Sequence, residues 1–579
     1  MGPTGGPEVA LVKHRALRPH RSRPPGLLLV FTGFSALLAA SWAVYATLWF
    51  LDFGGRSVPV GLLALWSSPR AADVLSGIGE VTIAVLAIAL TVVAILVELA
   101  SSRFTARIAP LFIRDPLNAL ALGGFVVTVV LVLWVDMSLY GPDYPETMVL
   151  VATGAVSLTI LGLLPYFGYL FGFFSPGNVI GRVERQAERA IRKLARSGAS
   201  VDRRREKVIG SVEHLADMIL IAIKNDESAL AVPAIEALSE IACSGLRMKR
   251  YLPAAWFEVE SLAETDRDFV TLDPEMVSSL TERRTWLEAK ILRGCQTAFF
   301  RGLPGAPDLN HLIAIHTRRI ARASLEIGDR SALRLALRFL NTYLSRSITV
   351  GDVRSAHNAL AELRWLACED LLEQGEFELV KELADWLQHY ARVSFELGRT
   401  FVTEAVAHDL ADTIIRAHAA GAPNHDALLD ILLQVDREPG GLTGQESALR
   451  GVRKAQVKLA THYLSRGDTE RAHRIYEDMR YESRERLRTI HLELAELEER
   501  EWSEITNRDA NWDYLSEAQK KELPVFFGWF REETLTEVPE RADRLEPRLG
   551  SAIGQASRLE LGDARGDLQN SRTGGREAR

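Results

Sequence analysis

Three side chains suited to acid–base chemistry or metal binding, Glu404, His408 and Asp412, follow one another at intervals of four residues. Residues four apart share one face of a helix, so the three would project together. Two carboxylates and an imidazole could ligate a metal ion, but further ligands from a second helix would be needed. A solvated polar face is the simpler interpretation, and the sequence predicts no metal-binding residues.

A second set of candidate groups, Glu80 and Asp136, lies at the edges of two long apolar segments. Ionisable groups are costly in hydrocarbon, so those near a membrane span are candidates for ion or proton pathways. The order of the segments places both carboxylates at the outer end of one hairpin, where they could bind a cation or take up a proton. Solvation, or pairing with Arg56 or Arg70, is the alternative.

No enzyme motif occurs in the sequence of 579 residues: Walker A, His-Glu-x-x-His and Gly-x-Ser-x-Gly are all missing. The three cysteines, Cys243, Cys295 and Cys368, lie far apart and form no Cys-x-x-Cys pair, which favours buried reduced thiols. A net charge of -7 argues against nucleic-acid binding. We therefore predict no catalytic, cofactor-binding or metal-binding residues, and an enzyme is the least favoured class.

The elements that must position these groups begin with an apolar hairpin, Ile78 to Tyr140. Its two apolar segments, Val81–Leu99 and Leu117–Val135, are each about 19 residues long, enough for a helix to cross a bilayer core of about 30 Å. The hinge between them carries Arg103, Arg107 and Arg114. Short arginine-bearing loops face the cytoplasm.

Two further apolar segments complete a predicted transmembrane domain over residues 26–174. The four spans are predicted at about 26–51, 78–99, 117–139 and 147–174. Residues 1–25 are predicted to be a disordered basic cytoplasmic arm, and the length of the first span favours an uncleaved anchor over a cleaved signal peptide. Basic residues in the arm, in the hinge and after the fourth span predict cytoplasmic N- and C-termini in a bacterial inner membrane.

Residues 175–207 are predicted to form a basic amphipathic linker helix that leaves the membrane. Basic residues at helical spacing would contact anionic headgroups, each contributing about 1 kcal/mol near the surface. A solvated charged helix is the alternative. The predicted membrane-surface basic residues are Arg103, Arg107, Arg114, Arg182, Arg185, Arg189, Arg192, Lys193 and Arg196.

The remaining chain predicts a cytoplasmic α-helical domain over residues 208–540 and a disordered tail over 541–579. Glycines at 328, 375, 421 and 467 recur every 46 or 47 residues, each at the end of a helical pattern, because glycine enters the left-handed region cheaply. The repeat, around residues 309–480, indicates an α-solenoid of tetratricopeptide-like or HEAT-like units. Such stacks commonly bind proteins, which is an analogy of fold.

The hinge also carries a resemblance to a known family. The run from Ser101 to Arg107 is similar to the Ser-Ser-x-Phe-Ser-Pro-Arg pattern of the bacterial predicted membrane proteins catalogued as domain of unknown function 2254, with Thr105-Ala106 in place of Ser-Pro. Asn225 to Ala229 resembles the family's Asn-Asp-Pro-x-Thr-Ala motif, with Glu227 and Ala229 as departures. The resemblance covers about residues 26–245 and implies a membrane architecture in a bacterial inner membrane, without an activity.

These observations predict an all-α protein in which a four-helix transmembrane domain precedes a cytoplasmic α-solenoid-like region. The predicted function is a membrane-tethered protein-interaction or regulatory module. The alternative is an oligomeric ion channel or transporter, with Glu80 and Asp136 at its outer mouth and the cytoplasmic helices as a gate. The predicted partners are the bilayer with its anionic headgroups, a protein bound by the cytoplasmic helices, and further copies of the chain. No cofactor and no nucleic acid are predicted.

Overall fold

The computed structural model describes residues 27–53, 68–103, 112, 115–139, 146–197, 200–259, 262, 266–270, 272–435, 446–500 and 511–532. These residues are mostly helical and contain no β-strand, so the predicted all-α class is confirmed. The contacts divide the chain into two units, Met1–Leu523 and Pro524–Arg579. The predicted arm and tail, residues 1–25 and 541–579, lie outside the described residues.

The first unit holds nearly all of the helices. Those of the N-terminal part are α1 (Leu27–Phe53), α2 (Ser68–Arg103), α3 (Pro116–Ser138), α4 (Glu146–Phe173), α5 (Pro176–Ser197), α6 (Val201–Asn225) and α7 (Ser228–Met248). They are followed by α8 (Pro274–Glu282), α9 (Trp286–Gly302), α10 (Pro307–Glu326), α11 (Arg330–Val350), α12 (Val353–Trp365, extended by a π-helical turn Leu366–Leu371) and α13 (Phe377–Glu396). The last are α14 (Thr400–Ala419), α15 (His425–Leu432), α16 (Glu446–Ser465), α17 (Thr469–Met479), α18 (Arg484–Glu496) and α19 (Glu517–Glu532), which runs into the second unit.

Helices α1 to α4 pack together as one bundle. In the described part of the chain, the segments Ser76–Ala100, Pro116–Ser138 and Thr147–Phe173 are long and apolar enough to cross a membrane, and they coincide with three predicted spans. Helix α1 takes the place of the first predicted span and packs against α3 and α4, with Leu48 in a cluster that includes Val135 and Met148.

A fourth segment of spanning length, Ser228–Tyr251, comprises α7 and belongs to the helical domain instead. Of its most apolar window, 72% is buried within the protein, against 17 to 33% for the three bundle helices. It packs against α5, α6 and α10, so protein surfaces cover its apolar side chains and no lipid is required. Burial, rather than composition, separates this core helix from the spans.

Polar contacts identify one end of the bundle. Asp52 near the end of α1 accepts hydrogen bonds there from the backbone N–H groups of Thr147 (3.2 Å) and Met148 (2.9 Å) at the start of α4. Nearby, the hydroxyls of Tyr45 and Ser138 lie 2.7 Å apart. The end of α1, the end of α3 and the start of α4 are therefore neighbours.

The helical domain beyond α5 contains two layers of stacked helices. Helices α10, α12, α14 and α16 pack on one another in succession and form layer A, whereas α9, α11, α13 and α15 form layer B. Helix α5 buries its apolar face against α6 and α7, so this predicted linker packs as part of the domain. The predicted domain start at residue 208 lies inside α6.

Glycine conformation explains where the layer A helices end. Gly328, Gly375, Gly421 and Gly467 have φ angles of +73°, +73°, +65° and +79°, in the left-handed region that a side chain disfavours. Two further glycines, Gly351 and Gly398, end α11 and α13 with φ angles of +85° and +70°. Each chain reversal thus places the next helix in the other layer.

Candidate functional site

The two predicted outer carboxylates lie at the same end of the α2–α3 pair. Gly79 packs on α3, since a Cβ atom built there would lie 3.3 Å from Val132 Cγ1, and Asp136 follows one turn after Val132. Glu80 is exposed and Asp136 is partly buried. Within the described residues no hydrogen bond or ion pair joins these two carboxylates. Arg56 and the Arg70 side chain are outside the described part.

Most of the predicted membrane-surface basic residues that the structure describes lie on the exposed face of α5. Arg107, Arg114 and the side chain of Arg103 fall outside the described residues. The exposed basic residues are Arg185, Arg189, Arg192, Lys193 and Arg196. Arg192 pairs with Glu188 one turn earlier on the same helix.

Arg182 differs from the other basic residues of α5 because it turns towards the membrane bundle. Its guanidinium lies 3.8 Å from the centre of the Phe173 ring and 3.7 Å from Asp115 Oδ1. Asp115 caps α3 by accepting hydrogen bonds from the backbone N–H groups of Leu117 and Asn118, and it also accepts one from the Tyr169 hydroxyl. These contacts form a junction between α3, α4 and α5.

A second polar residue strengthens the junction from inside the bundle. Asn118 is 3% exposed, and its Nδ2 donates to the Phe112 carbonyl at 3.3 Å. Its Oδ1 accepts a hydrogen bond from the Tyr166 hydroxyl at 2.8 Å. Buried polar groups are stable when they are hydrogen-bonded in this way. The bundle end nearest the helical domain is therefore fixed by aromatic and amide contacts.

The helix of Glu404, His408 and Asp412 is α14, in the middle of layer A. The solvated-face interpretation is wrong, because His408 is 1% exposed and the two carboxylates are only partly exposed. Asp412 Oδ1 lies 3.2 Å from Lys458 Nζ, and its Oδ2 lies 3.8 Å from Arg364 Nη1. Periodicity correctly placed the three on one face, but packing against α12 and α16 decides what that face contacts.

Charges around α14 shift the pKa values of its carboxyls in opposite directions. Burial raises the pKa of Glu404, and the nearby charge of Asp513 adds to that increase. Burial also opposes ionisation of Asp412, but Lys458 and Arg364 outweigh it and lower the pKa of that carboxyl. Asp412 is therefore held ionised between two cations, as a fixed charge.

A non-helical segment, residues 511–516, lies on this face of layer A. The indole of Trp512 stacks on the His408 ring, with centroids 5.3 Å apart and planes at 14°. Asp513 Oδ2 lies 2.6 Å from Lys454 Nζ. Lys458 Nζ donates to the backbone carbonyl of Trp512 at 3.1 Å. We call the surface formed by His357, Phe401, His408, Lys454 and Lys458 the α14 groove.

A cluster of histidines lies between α14, α15 and α16. His418 Nδ1 and His462 Nε2 are 3.4 Å apart, and the Tyr463 hydroxyl is 2.7 Å from His425 Nε2. Burial lowers the pKa values of His425 and His462 to about 4, so both are neutral at physiological pH. Among the described residues, no group of three or more His, Cys, Asp or Glu side chains has a metal-binding arrangement. Sequence analysis missed this cluster, although the separation of residues 418 and 462 is close to the spacing of the helix-ending glycines.

Comparison with known proteins bears on the membrane part. Residues 28–225 match the model of a family described as predicted membrane protein, DUF2254, which confirms the expected resemblance. None of the curated proteins matches the chain. Among solved structures, a circular tandem repeat protein with novel repeat topology and enhanced subunit contact surfaces aligns with 81% of this chain and 96% of its own. The identity is 14% and the TM-score is 0.30.

Proposed function

We propose that this chain, whose residues 28–225 match a family of predicted membrane proteins, is a membrane-tethered module that binds a polypeptide through its helical domain. The observation that carries the proposal is the non-helical segment held on the α14 groove. Lys458 binds a backbone carbonyl there, and the ring of His408 stacks on an indole. These are contacts to groups that polypeptides in general present.

The repeat of the helical domain supports this proposal. Ion pairs join side chains of successive units: Arg354 to Asp308, Arg330 to Glu376 and Arg471 to Asp426, at separations of 46, 46 and 45 residues. These separations agree with the spacing of the helix-ending glycines. We infer a solenoid of two-helix units over α10 to α17, an architecture that presents an extended surface to a ligand.

The junction supports the tether. Arg182 in the first helix of the domain contacts Asp115 and Phe173 of the bundle, so the two parts share partly buried polar and aromatic contacts. A bundle fixed in this manner would hold the α14 groove at a set position relative to the bilayer. Headgroup contact by the exposed basic residues of α5 would add to this attachment.

We further infer that four spans place both termini on the cytoplasmic side of a bacterial inner membrane. The end of α1 and the start of α4 meet at one bundle end, through Asp52. The basic face of α5 begins at the opposite end, which accords with the positive-inside rule. Asp143 lies between the third and fourth predicted spans, in a loop that this topology places outside. In intact cells, an impermeant maleimide should therefore label an Asp143→Cys variant but not an Arg189→Cys variant; the reverse pattern would invert the topology.

The alternative function, an oligomeric channel, retains one supporting feature. Gly79 packs against Val132, which brings Glu80 and Asp136 to the same end of the α2–α3 pair. A cation pathway past these carboxylates would require several copies of the bundle. Flux measurements on neutralised variants, given below, separate this function from the tethered module.

A photo-crosslinking amino acid placed at Phe401 tests the proposed function in cells. Phe401 belongs to the α14 groove and is 43% exposed, so a crosslinker there should join the chain to a second polypeptide. The matched control is the same crosslinker at Arg334 in α11 of layer B, whose side chain is 57% exposed. The adduct should be lost in a Lys454→Glu, Lys458→Glu variant. Adducts of equal yield from both positions, or no adduct at all, would refute the proposal.

A further inference from the structure

The segment in the α14 groove is anchored mainly by one aromatic side chain. Trp512 is 6% exposed and contacts three rings from two helices of layer A. Besides His408, its indole lies 5.4 Å from the Phe401 ring and 5.8 Å from the His357 ring. A tryptophan buried in a pocket of this kind is the usual energetic centre of a protein–peptide interface.

Charge complementarity fixes the residue that follows the tryptophan. The side chains of Lys454 and Lys458 are 11% and 14% exposed. Lys454 Nζ lies 2.6 Å from Asp513 Oδ2, and His408 Nε2 lies 3.8 Å from Asp513 Oδ1. Lys454 Nζ also lies 2.7 Å from Glu493 Oε2, so Asp513 is its second carboxylate. A basic residue in place of Asp513 would bring a third cation next to the two ammonium groups, so the groove favours an acidic residue at this position and disfavours a basic one.

Hydrogen bonds within the segment also stabilise its conformation, as they can in a short peptide. The backbone N–H of Asp513 donates to Asn511 Oδ1 at 3.1 Å, and that of Tyr514 donates to the Asn511 carbonyl at 3.2 Å. This Asx-type turn lies wholly within the segment. Four consecutive residues therefore contain both the turn and the two anchors.

We propose that the α14 groove recognises a polypeptide segment in which a tryptophan is followed by an acidic residue, and that Trp512-Asp513 occupies it in cis until a partner segment of that chemistry displaces it. This inference rests on the proposed function and names the class of its ligand. It makes residues 511–516 an internal competitor, so partner binding and occupancy of the groove by this segment are mutually exclusive.

Tethering sets the expected strength of the competition. A segment joined to its site by a short linker has an effective concentration in the millimolar range. A free peptide of similar contacts with a dissociation constant of roughly 10–100 μM would therefore face about 10-fold to 100-fold competition from the cis segment. Removing the tryptophan anchor should raise the apparent affinity of the free peptide by that factor.

The test uses a fluorescent peptide of residues 509–519 and the full chain in detergent micelles. The peptide should bind the Trp512→Ala variant at least 10-fold more tightly than the natural chain. Tyr481→Ala is the matched control variant, since Tyr481 is 82% exposed and lies outside the groove. Peptides with Trp512→Ala or Asp513→Lys should bind neither chain, and Lys454→Ala added to the Trp512→Ala chain should weaken binding again.

A second route keeps Trp512 in place, in case its replacement impairs folding. A protease site inserted between residues 505 and 506 allows the chain to be cut ahead of the segment. Cutting removes the linker on that side, so the labelled peptide should exchange into the groove of a chain whose groove residues and segment are all natural. An uncut sample of the same variant is the control and should bind as weakly as the natural chain.

The outcomes separate this inference from the proposed function. Equal peptide binding by the natural, cut and Trp512→Ala chains, or indifference to Lys454→Ala, would overturn the inference even if crosslinks from Phe401 persist. Copurification of a tagged natural chain with the Trp512→Ala chain, lost when Lys454 is replaced by alanine, would identify a second copy of this chain as the occupant of the groove. It would overturn the inference that the partner is a different polypeptide. Peptide binding as expected without crosslinks in cells would overturn the proposed function alone.

Discussion

Neutralisation of Lys290 in α9 should be among the most destabilising single changes in the helical domain. Its side chain is fully buried, and its Nζ lies 2.7 Å from Asp266 Oδ2, 2.7 Å from Asp268 Oδ2 and 3.4 Å from Glu213 Oε1. Burial opposes the charge of the lysine, but Asp266 and Asp268 outweigh it and raise the pKa of the amine. The cation is thus held at the centre of three carboxylates.

The magnitude follows from what Lys290→Met leaves behind. The Asp266 side chain is only 2% exposed, so it would become an uncompensated buried charge, which costs about 3–5 kcal/mol. The matched control is Lys381→Met in α13, where an exposed pair with Asp385 at 3.0 Å contributes less than about 0.5 kcal/mol. The difference in stability between the two variants measures the effect of burial, separately from the effect of losing a lysine.

Thermal unfolding of the full chain in micelles, followed by circular dichroism, provides the assay. Lys290→Met should lower the midpoint by about 6 °C or more, and Lys381→Met by about 1 °C or less. Adding Asp266→Leu to Lys290→Met should restore part of the loss, because it removes the orphaned charge. Equal midpoints for the two single variants would refute the argument that burial makes this network costly to break.

Three further predictions concern the histidine cluster, the helix ends and the outer carboxylates. Because the pKa values of His425 and His462 are lowered from 6.5 to about 4 by folding, the unfolded chain binds more protons than the folded chain between pH 4 and pH 6.5. The free energy of unfolding should therefore have its full value above about pH 6.5 and fall by about 1–2 kcal/mol per histidine towards pH 4. Thermal melts of a His425→Asn, His462→Asn variant across this range should lack that pH dependence. Gly328→Ala should destabilise the fold by about 1 kcal/mol because φ is +73°, whereas Gly210→Ala inside α6, with open space around its Cβ position, should be neutral or stabilising. Equal thermal midpoints for these two variants would contradict the backbone argument. If the protein is an oligomeric channel, Glu80→Gln and Asp136→Asn should each reduce cation or proton flux into liposomes, with Ser157→Ala as a control from the bundle; flux that is absent, or unchanged in both variants, would leave the bundle as an anchor.

The membrane bundle was the part of the fold most fully predictable from sequence. Uninterrupted apolar segments located α2, α3 and α4, because a bilayer core fixes the length of helix that crosses it. The same signal could not distinguish α7, whose apolar length is similar but whose surface is covered by α5, α6 and α10. Hydropathy reports how strongly a side chain is stabilised by leaving water. A bilayer and a protein core both exclude water, so hydropathy does not distinguish between these two environments.

Local chemistry also determined where the layer A helices end. Gly328, Gly375, Gly421 and Gly467 could be assigned from spacing alone, because a left-handed residue at a helix end is a property of the backbone at that position. Helical periodicity likewise placed Glu404, His408 and Asp412 on one face, since that depends only on residues four apart. These are short-range features, and the sequence by itself determined them.

Only the tertiary structure decided what the face of α14 with Glu404, His408 and Asp412 contacts. The stacking of α14 between α12 and α16 surrounds it with Arg364, Lys454 and Lys458, and the chain returns to it with Trp512, about 100 residues after His408. Contacts between residues so far apart depend on how the layers pack, which no local spacing encodes. The amphipathic pattern fixes which side of a helix is buried, but the partner that buries it is chosen by the free energy of the whole fold.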